Sequence, residues 1–329
     1  MENTYRLYGN TARLKVLRPF DPWRSPLCTC MPKYSLHPYT GCSHFCLYCY
    51  ATAYIGVKPS TPKTEFIKRL KADLRYANRN LPVELSSSSD PYPPLEAWTM
   101  LTRETLKTLK EHGMRVIIVT KSNIVARDLD ILREIPSIVM VTVTTLNEEL
   151  SKKLEPGAPA PQKRIETICK LSDSGIPVGA RIDPIIPKLN DNEDDIARLV
   201  KELASCGAKH IVTSTYKAKP DSLRRLCKVF PLHRAYWRKL YLEYGEKIHG
   251  YFYLPRQVRE EILRKVIEKA RIHGISISIC REGLRLSNTN TLSCDGQHLF
   301  IYHPIHQLQH NNKKDSRGVV KWTKSWNIA

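Results

Sequence analysis

Short apolar, β-branched runs alternate with amphipathic stretches along the first two thirds of the chain. The runs fall at 81–85, 114–120, 138–144, 176–181 and 210–214. Between them, 65–78, 102–112, 124–134, 160–172 and 194–206 carry apolar residues at helical spacing. Two of these stretches run into the helix-stopping pairs His112-Gly113 and Ser174-Gly175. Regular strand–helix alternation predicts parallel strands joined by right-handed helical crossovers. A first strand ahead of Cys42 brings the count to six units, too few for an eight-unit barrel. The predicted fold is therefore α/β: six parallel β/α units over 34–216, at most a partial six-unit parallel β/α barrel. An irregular, proline-punctuated arm (1–33) precedes it and a basic helical extension (217–329) follows.

The pattern changes after Tyr216. Residues 217–271 hold 15 Lys+Arg against 6 Asp+Glu, interleaved with Tyr236, Trp237, Tyr241, Tyr244, Tyr251, Phe252 and Tyr253. Helices are predicted at 220–247 and 256–273, then a last strand at 275–279 that runs into Cys280. Residues 313–329 read as a basic tail. Over the whole chain the formal charge is +20, a field that attracts polyanions. Interleaved aromatic and basic side chains suit base stacking and phosphate contacts. They equally suit an amphipathic helical cap over the barrel.

With 42% hydrophobic residues the chain is globular. No apolar run approaches the ~20 residues that span a bilayer, so no membrane association is expected. Met1-Glu2-Asn3-Thr4 begins no secretory h-region. A cytoplasmic location follows as the expectation, with the ten cysteines read as metal ligands or free thiols and not disulfides.

Chemistry concentrates in Gly41-Cys42-Ser43-His44-Phe45-Cys46-Leu47-Tyr48-Cys49-Tyr50. Three thiolates at this spacing can hold three irons of a cubane cluster and leave the fourth iron open to a ligand. The same string, with His44 as a fourth ligand, could instead bind zinc. C-x3-C-x2-C with an aromatic before the last cysteine resembles the radical S-adenosylmethionine (SAM) superfamily. More strings resemble its DNA repair photolyase-like branch, related to spore photoproduct lyase. They are 33–41 (KYSLHPYTG), 88–96 (SSDPYPPLE), 120–122 (TKS), 154–159 (LEPGAP) and 183–187 (DPIIP).

The resemblance implies a 4Fe–4S cluster on Cys42, Cys46 and Cys49, with SAM on the open iron. One electron from the cluster would cleave SAM to a 5′-deoxyadenosyl radical that abstracts hydrogen from a substrate. It also implies an electron donor such as ferredoxin or flavodoxin. Ser88, Ser89 and Asp90 would meet the SAM amino group, Lys121 its carboxylate, and Tyr48 would pack near the adenine. Thr144 and Thr145 could hydrogen-bond SAM. Arg164 and Arg181 could each clamp a carboxylate or phosphate or form an ordinary salt bridge. Tyr50 follows the last cysteine, where the family uses a tyrosine in returning hydrogen; core packing explains it equally. Spore photoproduct lyase carries a hydrogen-donating cysteine just ahead of its matching Ser-Asp segment. Ser86 and Ser87 stand there in this chain, and a serine O–H is too strong for that step.

Cys28, Cys30, Cys280 and Cys294 flank the predicted barrel and could form a second metal or cluster site. Alternatively, Cys280 or Cys294 could donate hydrogen, or the four could be buried thiols. Cys169, Cys206 and Cys227 fall in helical patterns and read as core. His298, His303, His306 and His310 could ligate a metal but read first as surface residues. The leading expectation is a radical SAM enzyme acting on nucleic acid, DNA or RNA, or on a nucleotide-bearing substrate. The alternatives are a radical SAM enzyme for a protein or small molecule, and a non-catalytic nucleic-acid-binding protein with a structural metal.

Overall fold

The computed structural model describes residues 7–8, 11–20, 25, 27–86, 88–286 and 293–305. One eight-stranded sheet organises the chain. Its strands, in chain order, are β1 (Arg18–Pro19), β2 (Tyr34–Leu36), β3 (Val83–Leu85), β4 (Val116–Thr120), β5 (Ser137–Thr142), β6 (Val178–Ile185), β7 (His210–Thr215) and β8 (Ser276–Ile279). Spatial order follows chain order, and β1 and β8 stand at the two ends, so the sheet is open. From β2 to β8 every neighbouring pair is parallel; only β1 runs antiparallel, against β2.

Parallel neighbours need crossovers. They come from α1 (Phe66–Leu74), α2 (Leu101–Glu111), α3 (Pro161–Asp173), α4 (Glu193–Ser205) and, before β8, α5 (Pro220–Val229) and α6 (Arg256–Ile272). Strands β3 and β5 are buried along their whole length, as a sheet covered on both faces requires. The stretch predicted as a helix over 124–134 is a 3-10 turn, Asn123–Asp128, followed by the short helix Leu129–Leu132.

Strand β8 pairs with β7 and adds a seventh parallel unit from beyond position 216. The chain after Tyr216 thus continues the sheet instead of standing apart from it. The long helix expected over 220–247 is broken: Pro231, which has no amide hydrogen to give, follows α5 and opens a 3-10 turn. A two-stranded ribbon, Glu246–Ile248 against Tyr251–Tyr253, then turns through His249 and Gly250, both at positive φ. The irregular arm is anchored by Asp73 of α1, whose carboxylate accepts from the amides of Lys15, Val16 and Leu17 at 2.7–3.0 Å.

Two expectations change. Cys169 and Cys206, read as free core thiols, close a disulfide where α3 and α4 pack side by side. His298 and His303 are not surface residues. His303 is fully buried with Nε2 3.0 Å from the Leu132 carbonyl, and His298 packs edge-on against His210. His306, His310, Ser87 and the tail at 313–329 lie outside the described residues.

Candidate active site

All seven parallel strands present their carboxyl ends to one cavity of about 500 Å³. Cys42, Cys46 and Cys49 lie on the loop after β2 and line it together. Burial pushes the Cys42 thiol up to about 11, with the Asp90 charge adding to it. Burial pushes Cys46 higher, against the pull of Lys121. Such thiols lose their protons most readily to a metal.

The loop is tied on every side. Ser43 and Ser60 exchange amide-to-hydroxyl hydrogen bonds at 3.0 and 2.9 Å. The Leu47 amide donates to the Leu154 carbonyl (2.8 Å), and the Gly157 amide donates to the His44 carbonyl (3.0 Å). Arg225 of α5 donates to the carbonyls of Leu47 (3.2 Å) and Cys49 (3.1 Å). Neither Arg225 nor the loop-tying role of 154–157 was legible in the sequence.

His44 is not a fourth ligand. Its Nδ1 lies 3.0 Å from the Gly157 carbonyl and its Nε2 lies 3.1 Å from Asp90 Oδ2. The site therefore offers three thiols, which suits a cluster with one open iron and not a four-ligand zinc site. Asp90 also accepts from the Tyr92 amide (2.9 Å), the Thr120 hydroxyl (2.7 Å) and the Lys121 amide (2.8 Å). Burial pushes its carboxyl up, but His44 and these donors outweigh it and hold the group at about 2. Asp90 lines the cavity as the ionised brace between the β3, β4 and cysteine loops.

Glu155, buried at 1% exposure, collects Tyr48, Thr144 and Arg164. Arg164 spends its remaining donors on the Pro159 carbonyl (2.8 Å), the Thr142 carbonyl (3.2 Å) and the Ser151 hydroxyl (3.4 Å). It and Thr144 do not line the cavity. Both correct the expectation of direct cofactor contact: the Glu155 carboxylate draws them behind the wall, where they hold Tyr48 in place. Tyr48 itself faces the cavity, with the Lys121 ammonium 5.6 Å from its ring centre.

Burial alone would lower Lys121, but Cys46 and Glu155 draw it above the ordinary lysine range. Among the described residues its ammonium has no ion pair or hydrogen bond. Ser88 and Ser89 line the same wall, half-buried. The Ser86 hydroxyl, also on the cavity, is buried without a hydrogen-bond partner. An unpaired cation and an orphaned hydroxyl beside three thiols fit a carboxylate-bearing ligand at a cluster.

Across the cavity, a register shift in β6 between Ile182 and Ile185 turns Asp183 inward, where Arg181 pairs with it. The Arg181 guanidinium is thus engaged internally. Tyr50 packs edge-on to Tyr251 (6.3 Å), and the Arg281 guanidinium lies 5.5 Å from the Tyr50 ring centre. Cys28, Cys30, Cys280 and Cys294 also border the cavity, with the Cys30 and Cys294 sulfurs 3.1 Å apart. Two features of the basic region differ from expectation. Trp237 is 1% exposed and donates to the Pro187 carbonyl (3.0 Å), so it is core and not a stacking platform. Tyr236 and Tyr244 remain exposed, at 40% and 59%.

The site is thus three free thiols on the first loop of an open, mainly parallel β/α sheet. The Radical SAM superfamily profile matches residues 36–203, and the chain belongs to that superfamily. An uncharacterised protein of Methanocaldococcus jannaschii is 32% identical over 194 residues, covering 55% of this chain and 70% of that one. The radical SAM Nalpha-GlyT isomerase of Pseudomonas phage M6 is 26% identical over 208 residues, 60% of this chain and 43% of that protein. Among solved structures, spore photoproduct lyase complexed with dinucleoside spore photoproduct aligns with a TM-score of 0.60 at 18% identity. That alignment covers 81% of this chain and 78% of the lyase. The parallel α/β fold expected from the strand–helix pattern is the one found, with one parallel strand more than the six units expected. Family membership implies a 4Fe–4S cluster and SAM.

Proposed function

We propose that this protein cleaves SAM reductively at a cluster held by Cys42, Cys46 and Cys49, and acts on nucleic acid or a nucleotide-bearing substrate. The observation that carries the reading is the convergence of three thiols, the unpaired Lys121 ammonium and the orphaned Ser86 hydroxyl on one cavity. When bound, the cluster supplies the electron that breaks the SAM carbon–sulfur bond. Lys121 pairs with the SAM carboxylate. Asp90 fixes the amide of Lys121, and Tyr48, held by Glu155, forms the wall beside it. The electron comes from a small redox protein of the ferredoxin or flavodoxin class.

A nucleotide substrate is supported by charge and by shape. Tyr50 and Arg281 border the cavity. The Arg281 guanidinium lies 5.5 Å from the Tyr50 ring centre. Aromatic rings paired with cations suit a base and its phosphates. The dinucleoside ligand of the similar lyase structure is in keeping with this.

The test is anaerobic reconstitution with iron and sulfide, then incubation with dithionite and SAM. 5′-Deoxyadenosine is the expected product, and its yield should rise with an oligonucleotide substrate. A reduced cluster that leaves SAM intact would overturn the reading.

A further inference from the structure

Four cysteines outside the first loop meet at one place. Cys28 and Cys30 come from the arm, Cys280 follows β8, and Cys294 lies in the segment 293–305. The Cys30 and Cys294 sulfurs are 3.1 Å apart across 264 residues of sequence. Cys28 and Cys280 border the same cavity as that pair. Random burial of small side chains does not gather four of ten cysteines from three distant segments.

The surroundings suit bound thiolate. Cys30, Cys280 and Cys294 pack against an apolar wall that includes Ile138, Met140, Val212 and Phe300. Such a wall keeps water away from metal–sulfur bonds. Lys33, Arg181 and Arg281 line the same cavity, Lys33 paired with Glu84 and Asp295 and Arg181 with Asp183.

We infer that Cys28, Cys30, Cys280 and Cys294 bind a second, thiophilic metal centre, separate from the Cys42, Cys46, Cys49 site. Four sulfurs each about 2.3 Å from a common tetrahedral ion lie roughly 3.8 Å apart. The 3.1 Å contact is shorter than that spacing, so a single ion such as zinc requires this pair of side chains to move apart. Among the described residues no three ligands already converge on one ion-sized point. Metal binding therefore completes the site instead of filling a finished one. A 4Fe–4S cluster would use the same thiolates with a wider opening.

The experiment counts metal per chain in the full-length protein, purified without oxygen and reconstituted in separate arms with zinc or with iron and sulfide. The C42A/C46A/C49A variant removes the first site, so its residual metal reports the second alone. About one zinc, or about four irons with matching sulfide, is expected to remain. Replacing Cys280 and Cys294 with serine in that background should abolish it. A soluble triple variant with wild-type circular dichroism and no metal in either arm overturns the inference. If the triple variant does not fold, the C280S/C294S variant is compared with wild type, which should lose zinc, or about half its iron. Equal metal in both overturns the inference as well. Loss of SAM cleavage in any variant plays no part in the count, so failure of the catalytic reading is scored separately.

Discussion

A Cβ placed on Gly157 would lie 1.9 Å from the backbone carbonyl oxygen of Ser43. The β5–α3 loop therefore touches the cysteine loop backbone to backbone, and only glycine permits it. Gly157→Ala should push the cysteine loop outward. Overpacking of this kind costs about 1–3 kcal/mol. Urea denaturation should show that loss, and reconstituted iron per chain should fall relative to wild type.

Glu155 and Arg164 form a buried pair at 0% and 1% side-chain exposure. Removing one partner strands the other charge. Glu155→Gln should destabilise the protein by about 3–5 kcal/mol. Replacing both with apolar residues of similar size, as in E155L/R164M, should cost less than the single change. Thermal melts of the two variants decide this. A double variant no more stable than E155Q would mean that the hydrogen bonds to Tyr48 and Thr144 matter more than the stranded charge.

Lys121 carries the charge argument of the SAM site. Lys121→Ala should weaken SAM binding by about 1.5–3 kcal/mol, the worth of a charge-assisted contact. Iron content should stay unchanged, because among the described residues the Lys121 side chain makes no hydrogen bond to the cysteine loop. Equilibrium binding to the reconstituted protein measures it; unaltered affinity would remove Lys121 from the site.

His210 sets an acid limit. Burial first, then its neighbour His298, lowers its pKa to about 3. The unfolded chain, titrating near 6.5, binds that proton more readily. Stability is thus complete above pH 6.5 and falls as pH drops from there toward 3. Between pH 6.5 and 5 the loss from His210 is about 2 kcal/mol. Urea midpoints across that range should show it, and His210→Asn should flatten the slope.

Exposed cations on the segment around Arg234–Arg238 give the partner prediction. Charge reversal at Arg234, Arg238 and Lys239 should reduce the salt dependence of nucleic-acid binding. The slope changes by about 0.9 per duplex phosphate lost, or about 0.7 on single strands. Tyr236→Ala should weaken single-strand binding by about 1–3 kcal/mol. Trp237→Ala should instead lower stability by about 3–5 kcal/mol, since its ring is core. Salt-independent binding would point to a protein or small-molecule substrate.

The parallel sheet and the cluster loop were legible because both write themselves locally. Strand period, helix period and cysteine spacing need no distant partner to be recognised. What escaped the sequence is pairing between segments far apart. Arg164 reads as a free clamp until Glu155 is seen beside it, and Asp90 reads as a ligand until four donors close around it. Trp237 reads as a stacking ring until Pro187 accepts its N–H. Strand β8 was found as a strand, yet its place in the main sheet depends on β7, 66 residues earlier in register. The Cys169–Cys206 bridge likewise depends on how two helices lie together.

The 264-residue span between Cys30 and Cys294 sets an order of assembly. On a ribosome, the cysteine loop can be tied down once the chain has passed Arg225. The second thiol group has to wait until residue 294 has emerged. An early arm thiol, Cys30, stays without its partner through most of synthesis, at the stage when an exposed sulfur meets oxidants and stray metals most freely. Maturation of the two groups is thus separated in time by the topology of the chain itself.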